Sequence, residues 1–147
     1  MRATPEPPGG PASNARALAP FLIAAVVVVA CTVLGVWGVT TRTGGPFIYA
    51  LDDAYIHMAM GRTLADAGVW GCTPERFASA SSSPLWTVVL AAADVVAGTH
   101  ELTPLVVNVV CGLALLWLTD GWLRRRQAGV LLRLATLLGM AVAFPMA

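Results

Sequence analysis

Apolar residues fall along this chain in long uninterrupted blocks separated by short polar intervals, the pattern of whole hydrophobic helices rather than of alternating strands. Leu18 to Val39 carries no charge over 22 residues. As a helix it would be about 33 Å long, which matches the hydrocarbon thickness of a bilayer and predicts a transmembrane helix over 18–39. A cleaved signal peptide has a shorter apolar core with small residues at the cut, whereas VTTRTGG follows here, so the segment reads as an uncleaved signal anchor. A second charge-free run of 18 residues lies between Glu101 and Asp120, with Pro104 suited to a first helical turn, and predicts a crossing over 104–122. A third apolar segment, Ala128 to Ala147, carries only Arg133, close enough to its start to snorkel to the headgroups, and predicts a crossing over 129–147. It stops at AVAFPMA without a polar flank, and the expectation is a chain cut short within a larger membrane protein.

Two further segments are helical without being long enough to cross. Pro84 to Ala97 has 14 residues, contains Asp94 and is followed by GTHE; that length suits an interfacial or re-entrant helix. With Asp52 as N-cap, a helix through Ala67 puts Ile56, Ala59, Met60, Thr63, Leu64 and Ala67 on one side, and Gly68 supplies the stop. This amphipathic helix is expected to lie on the membrane surface. The first seventeen residues, MRATPEPPGGPASNARA, have almost nothing to bury and predict a disordered tail over 1–17.

Composition agrees with the blocks. The chain is 57% hydrophobic and 12% charged, where a soluble domain carries about 25% charge, so a disordered protein is excluded and a soluble globular one disfavoured. A net charge of +1 from nine arginines and eight acids gives no broad attraction for nucleic acid, and none is expected as a partner. Placement of the arginines says more than their sum. Residues 40–103 hold three arginines and six acids, while the tail holds Arg2 and Arg16 with Glu6, and the C-terminal part holds Arg124, Arg125, Arg126 and Arg133 with Asp120. Positive residues stay in the cytoplasm, so the tail and an Arg-rich turn over 123–128 are expected inside and the loop 40–103 outside. The expected architecture is therefore an all-α membrane protein: three transmembrane helices, with an outer loop carrying juxtamembrane helices at about 52–67 and 84–97.

Cys31 and Cys111 lie in apolar runs as small hydrophobes, and Cys72 stands alone in a polar stretch. No Cys-x-x-Cys or His-x-x-x-His spacing occurs, and no metal site is expected. His57, Met58 and Met60 are soft ligands that point in different directions on a helix, which favours packing.

Candidate chemistry concentrates in LDDAYIHMAMGRTLADAGVWG, residues 51–71. An acid pair at a helix start compensates the dipole and caps the helix. The same pair at a membrane surface is placed to take a proton from an acceptor hydroxyl or amine. Asp53 and His57 share one edge of the helix, and Arg62 and Asp66 are spaced to pair. Arg62 and Arg76 have the planar donors to grip a phosphate, against the simpler pairing with Asp66 and Glu75. Ser79, Ser81, Ser82 and Ser83 are placed either to touch a sugar or phosphate, Ser82 above all, or to form a flexible loop ending in a cap at Ser83. Trp70, Trp86, Trp117 and Trp122 suit headgroup depth, and the triple arginine is topogenic first and an anionic-lipid contact second.

This acid-led segment, followed by ASASSSPLW at residues 78–86, resembles the first outer loop of GT-C membrane glycosyltransferases: protein O-mannosyltransferases, aminoarabinose transferases of lipid A and bacterial arabinofuranosyltransferases. Their shared order is one transmembrane helix, an outer loop opening on Asp-Asp or Asp-Glu, a Pro-aromatic ending, and further crossings. The resemblance covers roughly residues 18–147. It implies a sugar carried on polyprenyl phosphate as donor substrate, an acceptor outside the membrane, and a bacterial plasma membrane with the N-terminus in the cytoplasm. It assigns the catalytic acids to Asp52, as base or acceptor-orienting group, and Asp53 beside it; His57, Arg62, Arg76 and Ser82 are candidate substrate contacts by the chemistry of their own side chains. It leaves a divalent metal open. Family members have many more crossings, so the chain is expected to be an N-terminal module that is inactive alone and partnered by the bilayer, the lipid-linked donor and the remainder of the enzyme. The alternative is a small non-catalytic membrane scaffold or partner subunit.

Overall fold

The computed structural model describes the backbone of residues 11–49 and 51–143, and side chains from Ala17 onward. Five helices follow in order: α1 Pro11–Thr43, α2 Asp52–Ala67, α3 Pro84–Ala97, α4 Thr103–Arg125 and α5 Val130–Ala143. No strand occurs among the described residues, only an isolated bridge between Thr73 and Arg76. The all-helical class expected from the hydrophobic blocks is thus observed.

The expected tail over 1–17 is corrected at its end, because α1 already begins at Pro11. Proline at a first helical position needs no partner for a missing N–H, and the Ala-rich stretch behind it lets a helix nucleated by the apolar block propagate backwards. Residues 1–10 lie outside the described residues. α4 outruns its predicted end and takes Arg124 and Arg125 into its last turn, so the Arg-rich turn shrinks to residues 126–129. There a Schellman closure forms: Ala128 N–H reaches the Leu123 carbonyl at 3.0 Å and Gln127 N–H the Arg124 carbonyl at 2.9 Å. Gln127 takes the left-handed position usually given to glycine, at φ 56°.

Two helices are long and apolar enough to cross a membrane, over Ala17–Thr43 and Thr103–Arg125. Only 17% of the apolar window of each is buried. A core helix of a soluble protein would be mostly covered, whereas here Leu22, Val26, Val33 and Trp37 of α1 and Val106, Val110, Leu118 and Trp122 of α4 are exposed. α5 has 14 described residues, about 21 Å, which falls short of a bilayer core of about 30 Å. Residues 144–147 of the expected third span lie outside the described residues. Thr32, Thr40 and Thr136 return their hydroxyls to the carbonyl four residues back, so these apolar helices carry no stray donor at those positions.

The chain divides into two compact units, one running to Val33 and resuming at Gly112, the other Leu34–Cys111. In the first, Ala24 and Val28 of α1 meet Leu116 of α4 and Leu137 and Ala141 of α5. Phe21 stands edge-on to Trp117 at 5.1 Å. Arg133 does not snorkel as expected. It is buried, donating from Nε (2.9 Å) and Nη2 (2.6 Å) to Oδ1 of the fully buried Asp120, and from Nη2 to the Ala17 carbonyl at 2.6 Å. That carbonyl lies in the turn before Pro20, a proline inside α1 whose missing N–H leaves the neighbouring Arg16 carbonyl, not this one, without its helical partner.

In the second unit, α2 and α3 pack along their length. Contacts advance together along both helices, His57 with Thr87 and then Gly61 with Leu90 and Ala91, so the two run parallel and their N-termini share one end. The 68–83 connection returns along the pair, tied by Ala78 N–H to the Trp70 carbonyl at 2.9 Å. A Cβ on Gly71 would collide with the Arg76 carbonyl oxygen, which is why that turn needs glycine. The packed face of α2 is corrected: His57, Met60, Gly61 and Thr63 are buried, whereas Ile56, Ala59 and Leu64 are only partly covered and Ala67 is exposed. Gly61 sets the approach, since a Cβ there would stand 3.2 Å from Leu90 Cβ and 3.3 Å from Ala91 N. Gly61→Leu is expected to wedge the pair apart at a cost of about 1–3 kcal/mol, read as a lower thermal midpoint of the detergent-solubilised protein.

Tyr49 ties the entry of this unit to its exit. Its hydroxyl donates to the Glu101 carbonyl at 2.8 Å and accepts the Leu105 N–H, a first-turn donor of α4, at 3.2 Å. Burial pushes its phenol above the ordinary range, the bond from Leu105 opposes this, and Tyr55 and Glu101 add to it.

Candidate functional site

α2 and α3 begin side by side, and the polar residues of both starts meet there. Asp52 and Asp53 occupy the first turn of α2, where the helix dipole favours negative charge. The cap position belongs to Leu51, which is extended and makes no side-chain bond, so the expected cap at Asp52 does not form. Asp52 is exposed and forms no hydrogen bond or ion pair among the described residues. Ser83 does stand at the N-cap of α3, with Pro84 behind it, but without a side-chain cap bond.

Asp53 is held instead by a line of hydroxyls and an imidazole. Ser82 Oγ donates to Asp53 Oδ2 at 3.2 Å, and His57 Nε2 lies 3.2 Å from Ser82 Oγ and 3.8 Å from Asp53 Oδ2. On the other side of the ring, Nδ1 meets Thr87 Oγ1 at 2.9 Å, and Thr87 meets Ser81 Oγ at 2.9 Å. His57 is 4% exposed and Thr87 fully buried, while the Asp53 side chain remains 60% exposed. The line therefore runs from the interior of the helix pair to a carboxylate at its surface.

Serine, histidine and aspartate in one cluster suggest a nucleophile, but no acid hydrogen-bonds the ring: Asp53 stands 3.8 Å from Nε2, with Ser81 3.4 Å from Nδ1 on the far side. A triad needs histidine between serine and acid, whereas Ser82 stands between His57 and Asp53 and gives its proton to the carboxylate. No group of three or more His, Cys, Asp or Glu residues that could hold a metal occurs among the described residues, and Met58 and Met60 are packed along α2.

Of the residues singled out from the sequence, Asp53, His57 and Ser82 are brought together. Arg62 and Arg76 form no hydrogen bond or ion pair with that group among the described residues. Arg62 pairs with Asp66 at 3.5 Å as expected, both exposed. The pairing expected between Arg76 and Glu75 does not form; both are exposed, and Arg76 enters the turn through its backbone. Further along the same helices, burial and the neighbouring Asp66 raise the Asp94 carboxyl above its ordinary range, against Arg62 and His100. Sequence reasoning missed Thr87 and the role of Ser81. The available signal was Thr87 as the first polar residue on the stripe Thr87–Leu90–Ala91–Asp94 of an otherwise apolar helix.

The first unit holds a second polar group that sequence reasoning missed, around Asp120. Arg124 Nε lies 3.1 Å from Asp120 Oδ2 without the alignment of a hydrogen bond, and its guanidinium stacks over Trp117 at 5.6 Å. Arg126 stacks likewise over Trp122 at 5.5 Å.

No protein-family model, curated protein or solved structure matches this chain.

Proposed function

We propose that the chain is the N-terminal module of an integral-membrane glycosyltransferase of the GT-C type, which moves a sugar from a polyprenyl-phosphate donor to an acceptor outside a bacterial plasma membrane. The observation that carries this reading is the order of elements: the long apolar α1, then α2 opening on an acid pair, a Ser-rich return to α3 opening on Pro-Leu-Trp, and the long apolar α4. In this reading Asp52, open to solvent and not engaged as a cap, takes the proton from the acceptor hydroxyl. The acceptor oxygen then bonds to the anomeric carbon, the bond from that carbon to the lipid phosphate breaks, and polyprenyl phosphate leaves. Asp53 is the second carboxylate, with Ser82 and His57 behind it. Of the two arginines, Arg76 has no ion pair among the described residues and is available to the departing phosphate, while Arg62 is committed to Asp66. Transfer from a polyprenyl-phosphate sugar by the membrane-inserted enzyme, compared between the parent and its Asp52→Asn and Asp53→Asn variants, tests the assignment. Unchanged transfer in both would leave the acids without a catalytic part and favour a non-catalytic partner subunit.

The membrane arrangement belongs to the same proposal. α1 and α4 cross, α5 belongs to a third crossing over 129–147, and α2 and α3 lie at the outer face, with the N-terminus and Arg124 to Arg126 in the cytoplasm because positive charge is retained there. Cys72 is exposed on the connection between α2 and α3. With Cys31 and Cys111 replaced by alanine, an impermeant thiol reagent is expected to label Cys72 in intact cells. Labelling only after permeabilisation would reverse the orientation.

A further inference from the structure

The hydrogen bonds around His57 have a direction, and a carboxylate sets it. An ionised carboxylate only accepts, so the Ser82 hydroxyl must spend its one proton on Asp53 Oδ2. Ser82 Oγ can then only accept from His57 Nε2, 3.2 Å away, so the proton of the neutral ring sits on Nε2. Nδ1 is left as an acceptor, and the nearest hydroxyl is Thr87 at 2.9 Å, with Ser81 Oγ further off at 3.4 Å; with the Thr87 proton on Nδ1 rather than on the Ser83 carbonyl, 3.4 Å away, Ser81 donates in turn to Thr87 Oγ1. Every member then has a partner: Ser81 to Thr87 to His57 to Ser82 to Asp53. Asp53 is the one carboxylate within 4 Å of a ring nitrogen among the described residues. α3 and the residues before it present only the hydroxyls of Ser81, Ser82 and Thr87, and the acid of α3, Asp94, faces Asp66 and Arg62 further along the pair.

We infer that His57 is a positioning residue: buried between α2 and α3 as the Nε2–H tautomer, it fixes Ser82, and Ser82 fixes the Asp53 carboxylate at the surface. The two neighbouring acids thereby differ in kind. Asp53 has one oxygen held while most of its side chain stays open to a substrate, and Asp52 has no tether. A fixed carboxylate suits orienting an acceptor hydroxyl or amine, because an oriented acceptor has already given up much of its freedom before reaction. A free one suits turning toward the proton that is released. The division of work rests on the glycosyltransferase reading; the directed chain does not.

The experiment has one arm that needs no activity. The chain is reconstituted in lipid nanodiscs with ring-15N histidine, and His100→Gln leaves the His57 signals alone. At about pH 8, where an ordinary imidazole is neutral, the expected spectrum shows a protonated Nε2 and a bare Nδ1. Side-chain couplings are expected to show one χ1 rotamer for Asp53 in the parent and averaging in Ser82→Ala and in His57→Phe, with Asp52 averaged throughout. Ser82 is at an exposed position, so its alanine variant keeps the test alive should the buried His57 variant fail to fold. A protonated Nδ1 in the parent, or an Asp53 rotamer indifferent to Ser82→Ala, overturns the inference. In the transfer assay Ser82→Ala is expected to lower kcat on the order of tenfold with donor KM unchanged, and Ser82→Thr to restore it. Unchanged kcat overturns the positioning role. If the module together with the remaining helices of the enzyme transfers no sugar, the glycosyltransferase reading is overturned, while the ring and rotamer spectra still decide the inference.

Discussion

In the enzyme completed by its remaining helices, Asp52→Asn is expected to remove most sugar transfer, on the order of 10²- to 10⁴-fold in kcat, while membrane insertion and helix content stay at the parental level. The substitution is nearly isosteric and removes the ability to take a proton. Its structural cost is small because Leu51, not Asp52, occupies the cap position and the Asp52 side chain makes no cap bond. What remains is the attraction of a charge for the helix dipole, about 0.3–1 kcal/mol at an exposed site. Asp53→Asn is a different perturbation, because an amide can turn either its oxygen or its nitrogen toward Ser82 and so loosens the line to His57. Its loss is expected to be smaller than that of Asp52→Asn. A larger loss at Asp53 would make the anchored acid the base, and near-parental transfer for Asp52→Asn would leave that residue with dipole compensation alone.

The helices that position this site were legible because their ends carry strong local chemistry. Gly68 closes α2 in the left-handed conformation with its N–H on Leu64, and Pro84 opens α3; both helices have the predicted bounds. What the helices do to each other was not legible. Of the expected stripe Ile56, Ala59, Met60, Thr63, Leu64 and Ala67, only Met60 and Thr63 are buried, and the packed face takes in His57 and Gly61 as well. Neither residue scores as hydrophobic. Glycine enters the interface for what it lacks, and histidine because Thr87 and Ser82 satisfy both ring nitrogens. That Thr87 comes to His57 depends on the two helices running parallel, which requires the 68–83 connection to double back; no periodicity within either helix encodes it. The extra turns of α1 and α4 have a similar origin. A helix already nucleated by an apolar block extends into neighbouring residues that tolerate helix, here Pro11 to Ala17 and Thr40 to Thr43 of α1 and Leu123 to Arg125 of α4.

Arg133→Ala is expected to cost about 3–5 kcal/mol, because it removes both hydrogen bonds of a buried carboxylate and leaves it only the Arg124 ion pair at 3.1 Å. Asp120 is fully buried, and its Oδ1 receives both of its hydrogen bonds from Arg133. Arg124 is near, but its Nε does not point at Oδ2, and its guanidinium is already spread over Trp117. The reciprocal change, Asp120→Ala, is expected to cost less. Arg133 keeps the Ala17 carbonyl, and its long stem lets the charged end move toward headgroups or water once the acid is gone. Replacing both, Asp120→Leu with Arg133→Leu, removes the desolvation of two charges together with their attraction and is expected to fall within about 1–2 kcal/mol of the parent, because apolar substitutes for a buried pair are commonly tolerated. Reversible unfolding in mixed detergent micelles, run on the parent, both alanine variants, both single leucine variants and the double leucine variant, closes the cycle and gives the coupling directly. Coupling near zero would mean that Asp120 finds another partner when Arg133 is absent. Strong coupling would make the pair the contact that admits a charged, short α5 to the company of α1 and α4, with the snorkelling end that a lone arginine would take replaced by a fixed internal partner.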